Sequence, residues 1–158
     1  MKNELFTAIR EDDTQKVKAI LAENPSLVSE KDQRGSTPLL LATYYGFQNT
    51  TEAILQHPQD IDAQDASGNT ALMGVCFKGF KNLASLLIEK GANIDKTNFN
   101  GATALIFAAT FAHSKIVSLL VEHGADVSIK DDRGNTALLH AKMQGAKTII
   151  ELLENASA

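Results

Sequence analysis

Histidine and cysteine are the side chains of this sequence best suited to hold a metal ion or to act as a nucleophile. The histidines are His57, His113, His123 and His140, and the single cysteine is Cys76. No two histidines stand one helical turn apart, as a zinc site on a helix requires. We predict no metal site and interpret the histidines as surface or packing residues.

A catalytic cysteine requires an accessible thiolate and a nearby base. Cys76 lies in the apolar segment ALMGVCFK, and the small residues Thr43 and Ala109 stand at equal distances before and after it. Because small residues recur at this spacing, we interpret Cys76 as a small packing residue. No glycine-rich phosphate loop is present, because the phrase G-x-T-A-L has neither the lysine nor the second glycine of a P-loop. The residues therefore predict no catalytic site, no cofactor and no enzyme.

Composition narrows the class of protein further. The chain has 158 residues, 44% of them apolar, and a net charge of −4 with acidic and basic residues interspersed. No basic stripe suggests a nucleic-acid partner. No window approaches the roughly 20 apolar residues of a membrane span, and the N-terminal residues have no apolar stretch of signal-peptide length. With one cysteine and no internal disulfide, we expect a cytoplasmic protein.

Similar sequence phrases recur along the chain at one constant spacing, and we call this spacing the period. Glycines recur at this interval, and each opens a similar phrase: GSTPLLLA from Gly35, GNTALMGV from Gly68, GATALIFA from Gly101 and GNTALLHA from Gly134. An Asp or Asn stands three residues before each of these glycines. A repeat of this length predicts stacked units that share one continuous core.

Each unit reads as a turn followed by two short helices. The threonine two residues after each phrase glycine suits a helix N-cap, and Pro38 suits the first helical position. Gly46, Gly79 and Gly145 predict the end of the first helix, because glycine adopts the left-handed conformation without strain. Helices this short are marginally stable alone, so stability must come from stacking.

These phrases and their spacing resemble the ankyrin repeat, whose period is about 33 residues. The resemblance implies an all-α solenoid of five stacked helix-turn-helix units with short β-hairpin turns, forming one domain over residues 1–158. We expect an N-terminal capping repeat at 1–31, internal repeats at 32–64, 65–97 and 98–130, and a C-terminal capping repeat at 131–158. The first repeat is divergent, and Phe6 and Val17 lie one period before Leu39 and Thr50.

Three departures from the family phrase carry predictions. The ankyrin phrase is T-P-L-H-x-A, and in this chain its histidine is replaced by apolar residues that we expect in the core, namely Leu40, Met73, Ile106 and Leu139. Pro25 and Pro58 occupy the position of a second-helix stop glycine, so the second helix should end before them. Ala112 occupies the position of Gly46 and Gly79, where a left-handed backbone costs a residue with a Cβ about 1 kcal/mol.

The segment TYYGF at residues 43–47 concentrates aromatic residues at the end of a first helix. In the ankyrin arrangement the first-helix ends and the turn tips form a concave groove that commonly holds a partner protein. The resemblance assigns to the helix ends Tyr44, Tyr45, Phe77, Lys78, Phe111, Met143 and Gln144. It assigns to the turn tips Arg34, Phe99 and Arg133. Alternatively, the aromatic side chains pack between adjacent repeats and are mostly buried.

The resemblance and the aromatic residues together predict a non-enzymatic scaffold or adaptor that is monomeric and binds a protein partner, with neither a nucleic acid nor a membrane as partner. Two other classes of function use the same groove. One is a small-ligand-binding or enzymatic protein, and the other is a structural module that self-associates through the aromatic residues.

Overall fold

The computed structural model describes residues 1–157, in which ten α-helices form five consecutive pairs. The first helices of the pairs are α1 (Lys2–Arg10), α3 (Pro38–Tyr44), α5 (Ala71–Lys78), α7 (Ala104–Thr110) and α9 (Ala137–Gln144). The second helices are α2 (Thr14–Glu23), α4 (Gln48–Leu55), α6 (Lys81–Glu89), α8 (Ser114–Glu122) and α10 (Lys147–Ser157). A 3₁₀-helix, Pro25–Ser29, follows α2.

The turn between units is closed by hydrogen bonds but contains no strand in residues 1–157, so the expected β-hairpin character is not found. In the first of these turns the Asp32 amide donates to the Ser36 carbonyl over 2.9 Å, and the Gly35 amide donates to the Asp32 carbonyl over 3.0 Å. The Asp32 carboxylate also accepts from the Arg34 and Ser36 amides. This closed turn recurs at Asp65, Asn98 and Asp131.

Helix ends follow the sequence signals. The hydroxyl of Thr37 accepts from the Leu40 amide at the start of α3, and the threonines that precede α5, α7 and α9 make the same bond. α2 and α4 end before Pro25 and Pro58, as predicted. Ala112 has φ +60, so the predicted left-handed conformation is confirmed at a residue that carries a Cβ.

The first unit departs from the period. In the first unit the Asp13 amide donates to the Ala8 carbonyl between the two helices, and in the next unit the Phe47 amide donates to the Ala42 carbonyl. Phe47 and Ala42 each lie one residue more than a period after their counterparts Asp13 and Ala8. Pairing Phe6 with Leu39 was therefore wrong by one residue, and Leu5 is the equivalent side chain. The reason is one additional residue between Asp13 and the turn at Asp32, where α2 is ten residues long and α4 is eight.

The core runs unbroken along the stack. On the first helices Leu39, Leu72 and Leu105 are each 2% exposed, and on the second helices Ile54, Leu87, Leu120 and Leu153 are fully buried. Both sets recur with the period, so each unit presents the same apolar face to its neighbours. The predicted core positions Leu40, Met73 and Ile106 are buried. Leu139 is 43% exposed, which corrects that prediction. In the described residues no further helix pair follows that of α9, so no next unit covers this side chain.

The glycine that closes a first helix is covered by a ring from the following unit. A Cβ on Gly46 would lie 2.8 Å from the Phe80 ring, and a Cβ on Gly79 would lie 2.7 Å from the His113 ring. Ala146 occupies the equivalent position in the last unit, because it follows Ala112 by the same interval that separates His113 from Gly79. At this turn Ala112 carries a Cβ and is followed in the next unit by the small side chain of Ala146, while Asp12, the left-handed residue that closes α1, also carries a Cβ.

We expect Gly79→Ala to destabilise the chain by more than about 1 kcal/mol, because the added Cβ meets both the left-handed backbone and the His113 ring. Ala112→Gly should be neutral or slightly stabilising, since relief of strain is offset by greater freedom of the unfolded chain. Urea unfolding of both variants tests the pair. Equal destabilisation by the two changes would contradict the turn geometry.

One hydroxyl of the core has no hydrogen-bond partner among the described residues. It belongs to Thr51, a fully buried residue of α4 whose counterparts Val17 and Val117 are also fully buried. The neighbouring Thr50 differs, because its hydroxyl donates to the Asp12 carboxylate over 2.7 Å and lies 2.7 Å from the Thr14 hydroxyl.

We expect Thr51→Val to stabilise the chain by about 1 kcal/mol, because the change removes a buried polar group that forms no bond. The adjacent Thr50→Val serves as the control and should destabilise by about 1.5 kcal/mol, since it breaks a bond to a charged carboxylate. The measurement is the denaturant midpoint of each variant relative to the unsubstituted chain, compared at equal dependence of the unfolding free energy on denaturant concentration. Destabilisation by Thr51→Val would show that its hydroxyl is satisfied in solution.

Candidate functional site

Five large apolar side chains stand at the ends of successive first helices, and we call them the aromatic strip: Tyr44, Tyr45, Phe77, Phe111 and Met143. Their exposed fractions lie between 39% and 61%, so the alternative in which they are mostly buried between repeats is wrong. The left-handed turn after each first helix ends the helix at this level. The repeat therefore brings residues that are far apart in sequence onto one edge.

Members of the strip also contact their neighbours across unit boundaries. The rings of Phe77 and Phe111 meet edge to face with centroids 4.7 Å apart, and the Phe107 ring lies 6.4 Å from Phe77. The ammonium of Lys78 stands 4.3 Å from the centroid of the Tyr44 ring. Edge contacts and cation–π contacts of this kind hold half-exposed side chains in defined positions.

The remaining predicted site residues lie in two places. Lys78 and Gln144 are the last residues of α5 and α9, next to the strip, and both are exposed. Arg34, Phe99 and Arg133 are exposed at the turn tips. Phe99 is 66% exposed, although its amide donates to the Ser67 carbonyl over 3.2 Å. Of the three tip residues, Arg34 lines the same depression as Tyr44, whereas Phe99 and Arg133 do not.

That depression, which we call the groove, has a volume of about 450 Å³ and lies between the second and third units. Tyr44, Tyr45 and Phe77 border it, and Leu40, Thr70 and Met73 are among its buried lining residues. Asp32 and Asp65, which close the two adjoining turns, also line it.

Gly74 opens the groove, and sequence reasoning missed it. It lies in the middle of α5, where the other units carry Leu41, Phe107 and His140 in the same register of the period. A Cβ built on Gly74 would meet no atom within 4 Å. Glycine inside a helix costs about 1 kcal/mol relative to alanine, and that cost was the available signal.

A second depression of about 660 Å³ adjoins the groove between the first and second units. Its lining includes three basic side chains, Lys2, Arg10 and Arg34, together with Asp32 and Tyr45. Arg34, Asp32 and Tyr45 line both depressions. The concave edge is therefore basic at the first unit and carries carboxylates at the second and third.

The single cysteine is shielded from solvent. Cys76 is fully buried, and burial raises the pKa of its thiol far above neutral pH. Residues 1–157 contain no group of three or more His, Cys, Asp or Glu side chains placed to hold a metal ion. In the same residues no helix has the length and apolar character needed to cross a bilayer.

Comparison with known proteins identifies the family. The family model for ankyrin repeats, in three copies, matches residues 5–98 and 92–158. The chain belongs to the ankyrin-repeat family. No curated protein matches the sequence. Ankyrin repeats generally serve as protein–protein interaction modules and are typically not enzymes, and the all-helical stack described above fits that family.

In the last ankyrin unit a side-chain hydrogen bond links the turn to the first helix. Nε2 of His140 lies 2.7 Å from Oδ2 of Asp131. Partial desolvation opposes ionisation of Asp131, but hydrogen bonds from His140 and from the Asn135 and Arg133 amides outweigh it and hold the pKa of the carboxyl below its usual value. The folded state therefore favours the ionised carboxylate.

We expect Asp131→Asn to lower the free energy of unfolding at neutral pH by less than about 1 kcal/mol, because the pair is near the surface. The turn should persist, since Asn98 accepts the same two amides in its own unit. A lowered folded pKa gives stability above the unfolded pKa of about 4, and that stability is lost as pH falls through the folded value. Urea unfolding of both proteins from pH 7 to pH 2 should show the difference vanishing, and a pH-independent difference would contradict the assignment.

Proposed function

We propose that the chain is a non-enzymatic scaffold or adaptor that binds a partner protein along its concave edge. The observation that carries this proposal is the aromatic strip, whose five large apolar side chains are 39–61% exposed beside a groove of about 450 Å³. Tyrosine, phenylalanine and methionine are enriched at interfaces, and contiguous exposed apolar surface on a folded protein commonly marks a contact site.

The surroundings of the strip support the same proposal. Short helices anchored in the core hold each side chain, so binding would order few additional residues. Lys78, Gln144 and Arg34 provide a polar rim, and Phe99 and Arg133 extend the surface to the turn tips. We assign residues 1–158 to one binding domain, with repeats 1–31 and 131–158 as its caps and three internal repeats at 32–64, 65–97 and 98–130.

Truncation of Phe77 or Phe111 to alanine should weaken binding by about 2 kcal/mol or more, as buried interface anchors do. The expected loss of folding stability is about 1 kcal/mol, because each ring loses its aromatic contact. Random dodecapeptides are selected by display on the wild-type chain, and the affinities of the selected peptides for the variants are measured by calorimetry. Lys90→Ala, an exposed change outside the strip, is the control and should have no effect.

Phe99→Ala locates the binding surface within the concave edge. Selected peptides that lose affinity with Phe99→Ala but not with Phe77→Ala would move the site to the turn tips.

Sedimentation at two concentrations separates a monomer from a module that self-associates through the strip. Concentration-dependent association that Phe111→Ala abolishes would replace the adaptor proposal with self-association.

A further inference from the structure

Each of the last four units places one turn residue nine positions before one first-helix residue on the concave side. The pairs are Asp32 with Leu41, Asp65 with Gly74, Asn98 with Phe107 and Asp131 with His140. In the last pair the imidazole Nε2 lies 2.7 Å from the second carboxylate oxygen, while the first oxygen accepts the two turn amides. The last unit thus satisfies its turn carboxylate with a side chain from its own helix.

The third unit repeats this arrangement without the helix side chain. The first oxygen of Asp65 accepts the Ser67 and Asn69 amides, as in the other turns. Gly74 offers no side chain to the second oxygen, and within residues 1–157 Asp65 has no ion-pair partner. Asp65 and Gly74 both line the groove, so the space that an imidazole occupies in the last unit is open in the third.

The walls of this space suit a cation. Phe77 and Phe107 line the groove, and an aromatic face attracts an ammonium or guanidinium group. The chain already uses this contact on its own surface, where Lys78 stands over Tyr44. The charged residues of the lining are Asp32, Asp65 and Arg34, so two carboxylates and one guanidinium leave one net negative charge.

We propose that the notch at Gly74 receives a basic side chain, Arg or Lys, from the partner protein, and this rests on the proposed function of the groove. The basic group donates to Asp65 as His140 donates to Asp131, and its stem lies against the aromatic walls. An apolar side chain would fill the same volume but would desolvate the Asp65 carboxylate without giving it a partner. Charge complementarity therefore selects a basic occupant.

The probes are four pools of acetylated pentapeptides with randomised flanking residues and a central Arg, Lys, citrulline or Leu. Citrulline has nearly the shape of arginine but no charge, and leucine tests an apolar occupant. Amide chemical shifts of the ¹⁵N-labelled full chain report where each pool binds. We expect the Arg and Lys pools to shift the Gly74 and Asp65 signals saturably, with at least tenfold tighter binding than the citrulline pool.

Three variants test the assignment on the protein side. Gly74→His introduces the residue of the last unit at the same position, so it should fill the notch and weaken binding of the Arg pool at least tenfold. Asp65→Asn should weaken it similarly while preserving the turn, because Asn98 closes its own turn in that way. Gly74→Ala adds a single methyl group into open space and should change affinity less than threefold.

Equal binding of the Arg and citrulline pools would overturn the basic occupant, as would tighter binding of the Leu pool. In both cases binding at the groove would still support the proposed function. Retention of Arg-pool binding by both Gly74→His and Asp65→Asn would also overturn the assignment. Absence of shifts at groove and strip residues with every pool would contradict the basic occupant and the proposed function together.

Discussion

Stacking of each helix pair on the next is the interaction on which the whole structure depends. The first helices are seven to nine residues long, which is too short for stability in water without tertiary contacts. The internal first helices α3, α5 and α7 become stable because their leucines enter a core shared with two neighbours. No unit therefore has a structure of its own apart from the array, and local changes are felt through the adjoining interfaces.

The stack also determines where polar groups and side chains can lie. A turn carboxylate or amide closes the entry to α3, α5, α7 and α9, and a left-handed residue closes the exit of each. Both ends are thus defined within a residue, so the last helical side chains of successive units align. The exposed aromatic strip and the groove are consequences of this alignment, and their details depend on which residue each unit carries at the aligned positions.

Much of the fold could be predicted because its signals are local. A threonine cap, a proline that ends a helix and the left-handed Ala112 each depend on a few neighbouring residues. The exposure of Leu139 depends on what lies next to its unit, which the unit's own sequence does not contain. The extra residue before Asp32 was missed because no glycine precedes Gly35 to mark the register of the first unit. The strip could be placed by register, but the open space beside Gly74 could not, because it results from the absence of a side chain there.

The coverage of a turn glycine by the ring of the next unit has a consequence for the evolution of the array. Gly46 precedes Phe80 and Gly79 precedes His113, whereas Ala112 precedes Ala146. A Cβ at Gly46 or Gly79 would clash with the ring that the next unit places there, so an exchanged unit that ends in alanine would not fit before a successor whose ring lies as Phe80 or His113 does. A duplicated or exchanged unit would therefore need a neighbour whose side chain leaves room for its turn residue.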